Sequence, residues 1–195
     1  MSKIEQNREK KKLAILVAAK SEFLSQGYTC ANMDVIAQQA KMTKQTLYRY
    51  FPSKLELFQA TLVSIGKSYN ERYSQHLELE DTRQALIAFA LDFMQFHFSI
   101  EHIATQRLLI SEVTQAPEIV ESFMKNGPHH TQAALSAFFA KRLGVESPES
   151  KVNLWIGMLL SSRNMVLLGV AEVTQEQIQQ TAVEATDIIL AAINP

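Results

Sequence analysis

The chain holds 195 residues, 47% of them hydrophobic and 20% charged, with a formal net charge of -1. That balance fits a folded protein with a proper core and excludes a disordered tract. Six glycines, five prolines and one cysteine exclude a turn-rich all-β design, a collagen-like repeat, a disulfide framework and a cysteine-rich zinc site.

Helix signals run the length of the chain. Leu13, Leu16, Val17, Phe23 and Leu24 recur at helical spacing, and Gly27 is placed to stop that helix. Asn32 suits the cap of a short helix through Ile36 and Ala37 to about Ala40. Lys41-Met42 leaves room only for a tight turn, and Thr43 suits the cap of the next helix, Lys44 to about Tyr50. Pro52 interrupts, and Ser53 with Glu56 forms a capping box that opens a long helix through Leu57, Phe58, Leu62 and Ile65. Further helices are expected from Asp81 or Thr82 to about Ser99, from Ile100 to about Gln115, from Pro117 to Gly127 and from Pro128 to Gly144. Ser147-Pro148 starts a long apolar helix to about Gly169, and Thr174 with Gln177 boxes a last one to about Ile193. The fold class expected is all-α, with nine or ten helices and no strand.

No apolar run reaches the ~18 residues of a membrane span. Residues 1–12 are basic and polar, without the apolar stretch of a secretory signal. A lone thiol, Cys30, fits a reducing compartment, so the expected location is cytoplasmic. A redox role for Cys30 competes with the plainer reading of a small buried or half-buried residue, because it has no second thiol to resolve it.

The near-zero net charge hides a split. Residues 1–54 hold ten Lys/Arg against four acids, a surplus of six. The remaining residues carry the opposite balance, nine bases against sixteen acids. A basic first unit suits a polyanion, although a basic run is also what a solvated helix face looks like.

Two short helices joined by a tight turn, inside a basic unit, suggest a helix-turn-helix. Its second helix must lay its first turn in the major groove, so that turn needs polar, hydrogen-bonding tips. Here it reads Thr43-Lys44-Gln45-Thr46. Lys suits guanine O6 and N7, and Gln suits adenine N6 and N7. Threonine reaches phosphate or the thymine methyl, and the open N–H groups of the helix start favour phosphate. Tyr48 and Tyr50 can offer hydroxyls to the DNA backbone.

Residues 8 to about 60 resemble the DNA-binding domain of TetR-family transcriptional regulators. The resemblance rests on Gly27-Tyr28, on Met33-Asp34-Val35-Ile36-Ala37 and on the unbroken run from Ala40 to Lys54. Two positions depart from the family pattern. Lys41 stands where the turn usually has Gly, at a cost of about 1 kcal/mol if φ is positive, which a phosphate contact would offset. Ala31 stands where a hydroxyl residue often meets phosphate. The resemblance implies a DNA-binding set of Asn32, Thr43, Lys44, Gln45, Thr46, Tyr48, Tyr50 and Lys54. Lys10, Lys11 and Lys12 would add affinity through the arm, while Ile36, Ala37, Leu47 and Phe51 are core.

The resemblance divides the chain into residues 1–54, a three-helix helix-turn-helix domain, and residues 55–195, a helical ligand-binding and dimerisation domain. The segment from Arg107 to Gly127 is similar to the AcrR-like branch. Leu86, Phe89, Phe93 and Phe96 form one stripe, which is either core or one wall of a ligand cavity. The candidate ligand set is Phe89, Phe93, Phe96, His97, Arg107, Phe123, Trp155 and Met158, with Met124 as a further neighbour. The plainer role of Arg107 is an ion pair with a carboxylate such as Glu112. Small or flexible residues on the last two long helices, Gly157, Ser161, Met165, Ala182 and Ala185, suit close helix approach in a dimer.

The expected function is a homodimeric, sequence-specific regulator on a near-palindromic duplex operator, a repressor released by a small lipophilic effector. The other reading within the family is an activator or dual regulator with no inducer. No phosphate loop, nucleophile elbow or His-Glu-x-x-His motif occurs, and His97 and His102 lie five apart, so no enzyme, cofactor, metal or membrane partner is expected.

Overall fold

The computed structural model describes residues 2–126 and 128–193. Among these residues every regular element is helical. The order is α1 (Lys3–Cys30), α2 (Met33–Gln39), α3 (Lys44–Tyr50), α4 (Lys54–Leu77), α5 (Thr82–His97), α6 (Ile100–Glu112), α7 (Pro117–Asn126), α8 (Pro128–Leu143), α9 (Pro148–Leu159), α10 (Arg163–Leu167) and α11 (Gln175–Ile193). The expected all-α fold is therefore found. Gly127, the expected end of α7, lies outside the described residues.

The caps explain most of the boundaries. The side chains of Asn32 and Thr43 accept from Asp34 N–H and Thr46 N–H. Thr174 and Gln177 bond each other's backbone N–H at the start of α11. Gly27 does stop regular helix, with φ 79° and ψ 167°, but one further turn follows to Cys30. Two differences from expectation stand out. The basic start of the chain is helical, because Ser2 and Glu5 close a capping box. The helix expected from Pro148 to Gly169 is two, because the chain turns at Leu160-Ser161-Ser162, where neither serine caps the next helix. As its place in the tight turn before α3 suggests, Lys41 has a positive φ, 56°.

That Lys41 geometry carries a measurable cost. A side chain in the left-handed region is strained by about 1 kcal/mol relative to glycine. Lys41→Gly should raise the stability of the first unit by about that amount in urea unfolding. An unchanged midpoint would mean that the lysine side chain offsets its own strain.

The chain packs as two compact units, residues 1–66 with 107–127, and residues 67–106 with 128–195. The functional boundary expected after residue 54 falls within the first of them. In the first unit the buried faces of α1, α2 and α3 meet Leu57, Phe58, Leu108, Leu109 and Ile119. Ile36, Ala37, Leu47 and Phe51 are buried there, as their apolar spacing predicts. In the second unit α5 packs on α11, and α9 packs on both α8 and α11.

Candidate nucleic-acid interface

The start of α3 is built by one residue. Thr43 Oγ1 accepts from Thr46 N–H at 3.2 Å and lies 2.9 Å from the Thr46 hydroxyl. The cap fixes the entry of the chain, and buried Leu47 anchors the helix from beneath. Thr43, Lys44, Gln45, Tyr48 and Arg49 are thereby left exposed, with Thr46 and Tyr50 half-buried. A hollow of about 490 Å³ is lined by Gln45, Thr46, Tyr48 and Arg49. A second of about 440 Å³ takes in Asn32, Asp34, Lys44, Tyr48 and Lys54. Of the eight expected DNA-binding residues, all but Thr43 and Tyr50 line one or other hollow.

Two lysines are engaged within the chain. Lys44 Nζ lies 2.8 Å from Asp34 Oδ1, and hydrogen bonding to Asp34 raises its pKa above the usual lysine value. To meet a base, Lys44 must leave a carboxylate on the same face. Lys54 Nζ donates to Thr29 O at 2.9 Å and Ala31 O at 3.2 Å, and stands 5.1 Å above the Tyr28 ring. Its positive charge thus terminates α1, where free carbonyls collect negative potential. Sequence reasoning offered Lys54 as a phosphate contact; the structure adds this structural duty.

Glu112, offered as one possible carboxylate partner of Arg107, takes donors from α1. The buried Glu112 carboxylate accepts the Thr29 N–H at 3.2 Å and the Thr29 hydroxyl. Glu22, also buried, accepts Asn32 N–H at 3.2 Å. These two acids hold the segment that leads from α1 into α2, and sequence reasoning missed both. Their one signal was an acid at an otherwise apolar helix position.

The candidate ligand residues divide between the two units. Arg107 is exposed and Phe123 packs on the core of the first unit. Phe89, Phe93, Trp155 and Met158 belong to the second. Phe89 is 0% exposed, with its ring 5.0 Å from Tyr73, 5.6 Å from Phe93 and 5.8 Å from Trp155. The stripe is thus core at Phe89 and Phe93. Trp155 Nε1 and Thr186 Oγ1 are buried there without a hydrogen-bond partner among the described residues.

His97 and His102 do meet, with ring centroids 4.6 Å apart and Phe96 against both. His97 Nδ1 donates to Phe93 O at 2.8 Å, and the Gln106 amide approaches His102 Nε2 at 3.3 Å. Desolvation, then the charges of His102 and Arg163, lowers the His97 pKa to about 3. Desolvation, then Arg163, lowers that of His102 to about 4. Both pKa values are lower folded than unfolded, so between about pH 4 and 6.5 the unfolded chain binds more protons. This stability is complete above pH ~6.5 and is lost as pH falls towards the folded value. His102 should contribute about 2 kcal/mol to the difference between pH 7 and pH 5. Urea unfolding of His102→Gln should show that difference reduced by this amount; an unreduced pH dependence would place the acid sensitivity elsewhere.

The dimer candidates also divide. Gly157, Ser161 and Met165 are exposed. Ala182 and Ala185 are buried in the core of their own chain, on the α11 face shared with Ile178 and Ile189. That corrects their expected place at a surface. The flank of that α11 face presents Ile188, 58% exposed, and α9 presents Leu154, also 58% exposed.

Residues 15–61 match the family model for bacterial regulatory proteins of the tetR family, and residues 84–194 match the C-terminal domain of AefR-like transcriptional repressors. The transcriptional activator FasR of Mycolicibacterium smegmatis is 37% identical over 106 residues, 54% of this chain and 47% of that protein. The transcriptional repressor NicS of Pseudomonas putida is 36% identical over 87 residues, 43% of this chain and 41% of that one. The chain spans about half the length of the curated relatives it matches. Among solved structures, a TetR-family regulator from Mesorhizobium loti superposes with TM-score 0.82 at 22% identity, covering 98% of each chain. The flavonoid-responsive regulator FrrA superposes with TM-score 0.74 at 27% identity, covering 93% of this chain and 96% of that one. These are regulators of transcription rather than enzymes, and the chain belongs to the TetR family of transcriptional regulators, with an AefR-like C-terminal domain.

Proposed function

We propose that the chain acts in the cytoplasm as a homodimeric, sequence-specific repressor whose DNA binding is relieved by a small lipophilic effector. The observation that carries this reading is the capped start of α3, which holds Lys44, Gln45 and Thr46 as polar tips above a buried Leu47 anchor. Gln45 and Lys44 read base edges, Lys44 after exchanging Asp34 for DNA. Thr43, Thr46, Tyr48, Tyr50, Asn32 and Lys54 set the register on the phosphates.

One short helix reads few bases, so two copies are needed on a near-palindrome. The surface offered for pairing comprises Gly157, Ser161 and Met165 with Leu154 and Ile188. Exposed large apolar side chains of this kind mark interaction sites. The effector reading is supported by Trp155 and Thr186, two buried polar groups without a hydrogen-bond partner among the described residues. It is further supported by the likeness to a flavonoid-responsive regulator. An effector must bind the two states with different affinity, and tenfold release requires about 1.4 kcal/mol of coupling. Repression is supported by the AefR-like repressor match. The likeness to an activator supports the second reading, activation or dual control without an inducer.

Selection of bound duplexes from a random DNA pool at moderate salt tests the proposal. A near-palindrome with two half-sites about one helical turn apart is expected. No enriched sequence, with binding abolished by a modest rise in salt, would leave a non-specific basic domain and remove the regulator reading.

A further inference from the structure

The surface around the start of α3 carries an acid. Asp34 is the one acid among the described residues that line its two hollows. A duplex presents a negative charge about every 1.7 Å of its axis, so a carboxylate here opposes binding unless it has a task. Its plain task is local. Asp34 is the second residue of α2, where a negative charge suits the free N–H groups of the helix start. That accounts for an acid at this position, but not for the direction its side chain takes.

The cap fixes the backbone of Asp34, whose N–H donates to Asn32 Oδ1 at 2.8 Å. From there the carboxylate reaches α3, which packs on α2. Lys44 Nζ lies 2.8 Å from Oδ1 and 3.0 Å from Oδ2, so both oxygens take the one ammonium. Lys44 is the first residue of α3. The pair stands open to solvent, its side chains 59% and 56% exposed. An exposed pair biases an equilibrium by no more than about fivefold, so better partners can displace it. Lys54 borders the same hollow but is held by Thr29 O and Ala31 O. An acid and a base therefore stand side by side at the first turn of α3, each the partner of the other.

We propose that Asp34 and Lys44 together read one G·C base pair, Lys44 donating to guanine and Asp34 accepting from cytosine N4–H. The proposal rests on the DNA-binding reading and deepens it, because it makes Asp34 a specificity-determining residue. The major-groove edge of a G·C pair carries the acceptors O6 and N7 beside the N4–H donor. Opening the ion pair there gives each member a new partner. A phosphate accepts from Lys44 but leaves Asp34 charged, unpaired and close to further anions. The ion pair therefore stays closed on a non-specific duplex and withholds one cation from its phosphates. At an A·T pair the favoured partners are amide side chains, and the thymine methyl takes part of the edge.

Duplex selection and affinity measurements on the wild type, Asp34→Asn, Lys44→Gln and the double variant test this, both positions being exposed and outside the core. In the wild type, exchanging one G·C pair of each half-site for A·T should lower affinity by about fivefold or more per half-site. Each single variant should lose most of that preference, at the same base pair, and the double variant should lose no more than either. On a non-specific duplex, Asp34→Asn frees Lys44 for a phosphate. The fall in affinity from 50 to 200 mM salt should then steepen by about 3.5-fold for each copy bound. A uniform loss of affinity in Asp34→Asn, with base preference kept, would assign Asp34 to the stability of α2 alone and overturn the proposal. Preferences lost at different base pairs in the two single variants would also overturn it. A wild type that enriches no sequence removes the regulator reading as well, whereas a near-palindrome enriched alike by wild type and Asp34→Asn removes only this proposal.

Discussion

Phe89→Ala should destabilise the protein by about 3–5 kcal/mol, the range for removing a buried aromatic side chain and leaving part of its cavity. Phe89 is 0% exposed and sits within 6 Å, centroid to centroid, of Tyr73, Phe93 and Trp155. Each of those rings loses a packed neighbour, beyond the area term. The number separates two roles. A ring packed on all sides leaves a void when truncated, and the surrounding helices relax only in part. A ring that lines a ligand space already has an open side, so truncation costs much less stability and appears as altered effector response. Urea unfolding of the variant decides the matter. A loss under about 1 kcal/mol, with release by effector abolished, would return Phe89 to a ligand wall.

Gly27→Ala should cost about 2–4 kcal/mol, well above Gly144→Ala at about 1–2 kcal/mol. Both glycines have positive φ, +79° and +66°. Gly27 pairs its φ with ψ 167°, a region that side chains essentially do not enter. A Cβ there would also stand 2.5 Å from Glu112 Oε1, whereas one on Gly144 meets nothing within 4 Å. An isolated carboxylate could swing aside at little cost. Glu112 is buried and holds the Thr29 N–H and hydroxyl, so moving it leaves a charge and two donors poorly satisfied. The same shift frees the segment that leads into α2, so DNA affinity should fall with stability. Equal losses for the two glycine variants in matched urea unfolding would show that Glu112 gives way without cost.

Both predictions rest on contacts that a linear reading did not supply. The stripe of Phe89 and Phe93 was legible as one helix face, but its partners were not. A helical period says that a face is buried without saying whether protein or ligand covers it. The same limit applies to α11, where Ala182 and Ala185 looked like small interface residues and prove to be the inward side of their own helix. The partner of Glu112 was hidden for another reason: local spacing offered Arg107 as one candidate, and a donor 83 positions away in sequence took the carboxylate.

Sequence alone determined what depends on near neighbours. The caps at Asn32, Thr43 and Thr174, the stop at Gly27, the strained turn at Lys41 and the exposed polar start of α3 each depend on backbone groups within a few residues. The family likeness of residues 27–54 is built from those same local features. Tertiary structure decided the duties that residues take on when distant segments meet. Lys54 terminates a helix 25 positions earlier, Glu112 clamps the entry to α2, and Asp34 holds the first residue of α3. Those partners come from other helices, and burial removes the water that would otherwise satisfy each charge, so only the packed chain fixes which donor or acceptor replaces it.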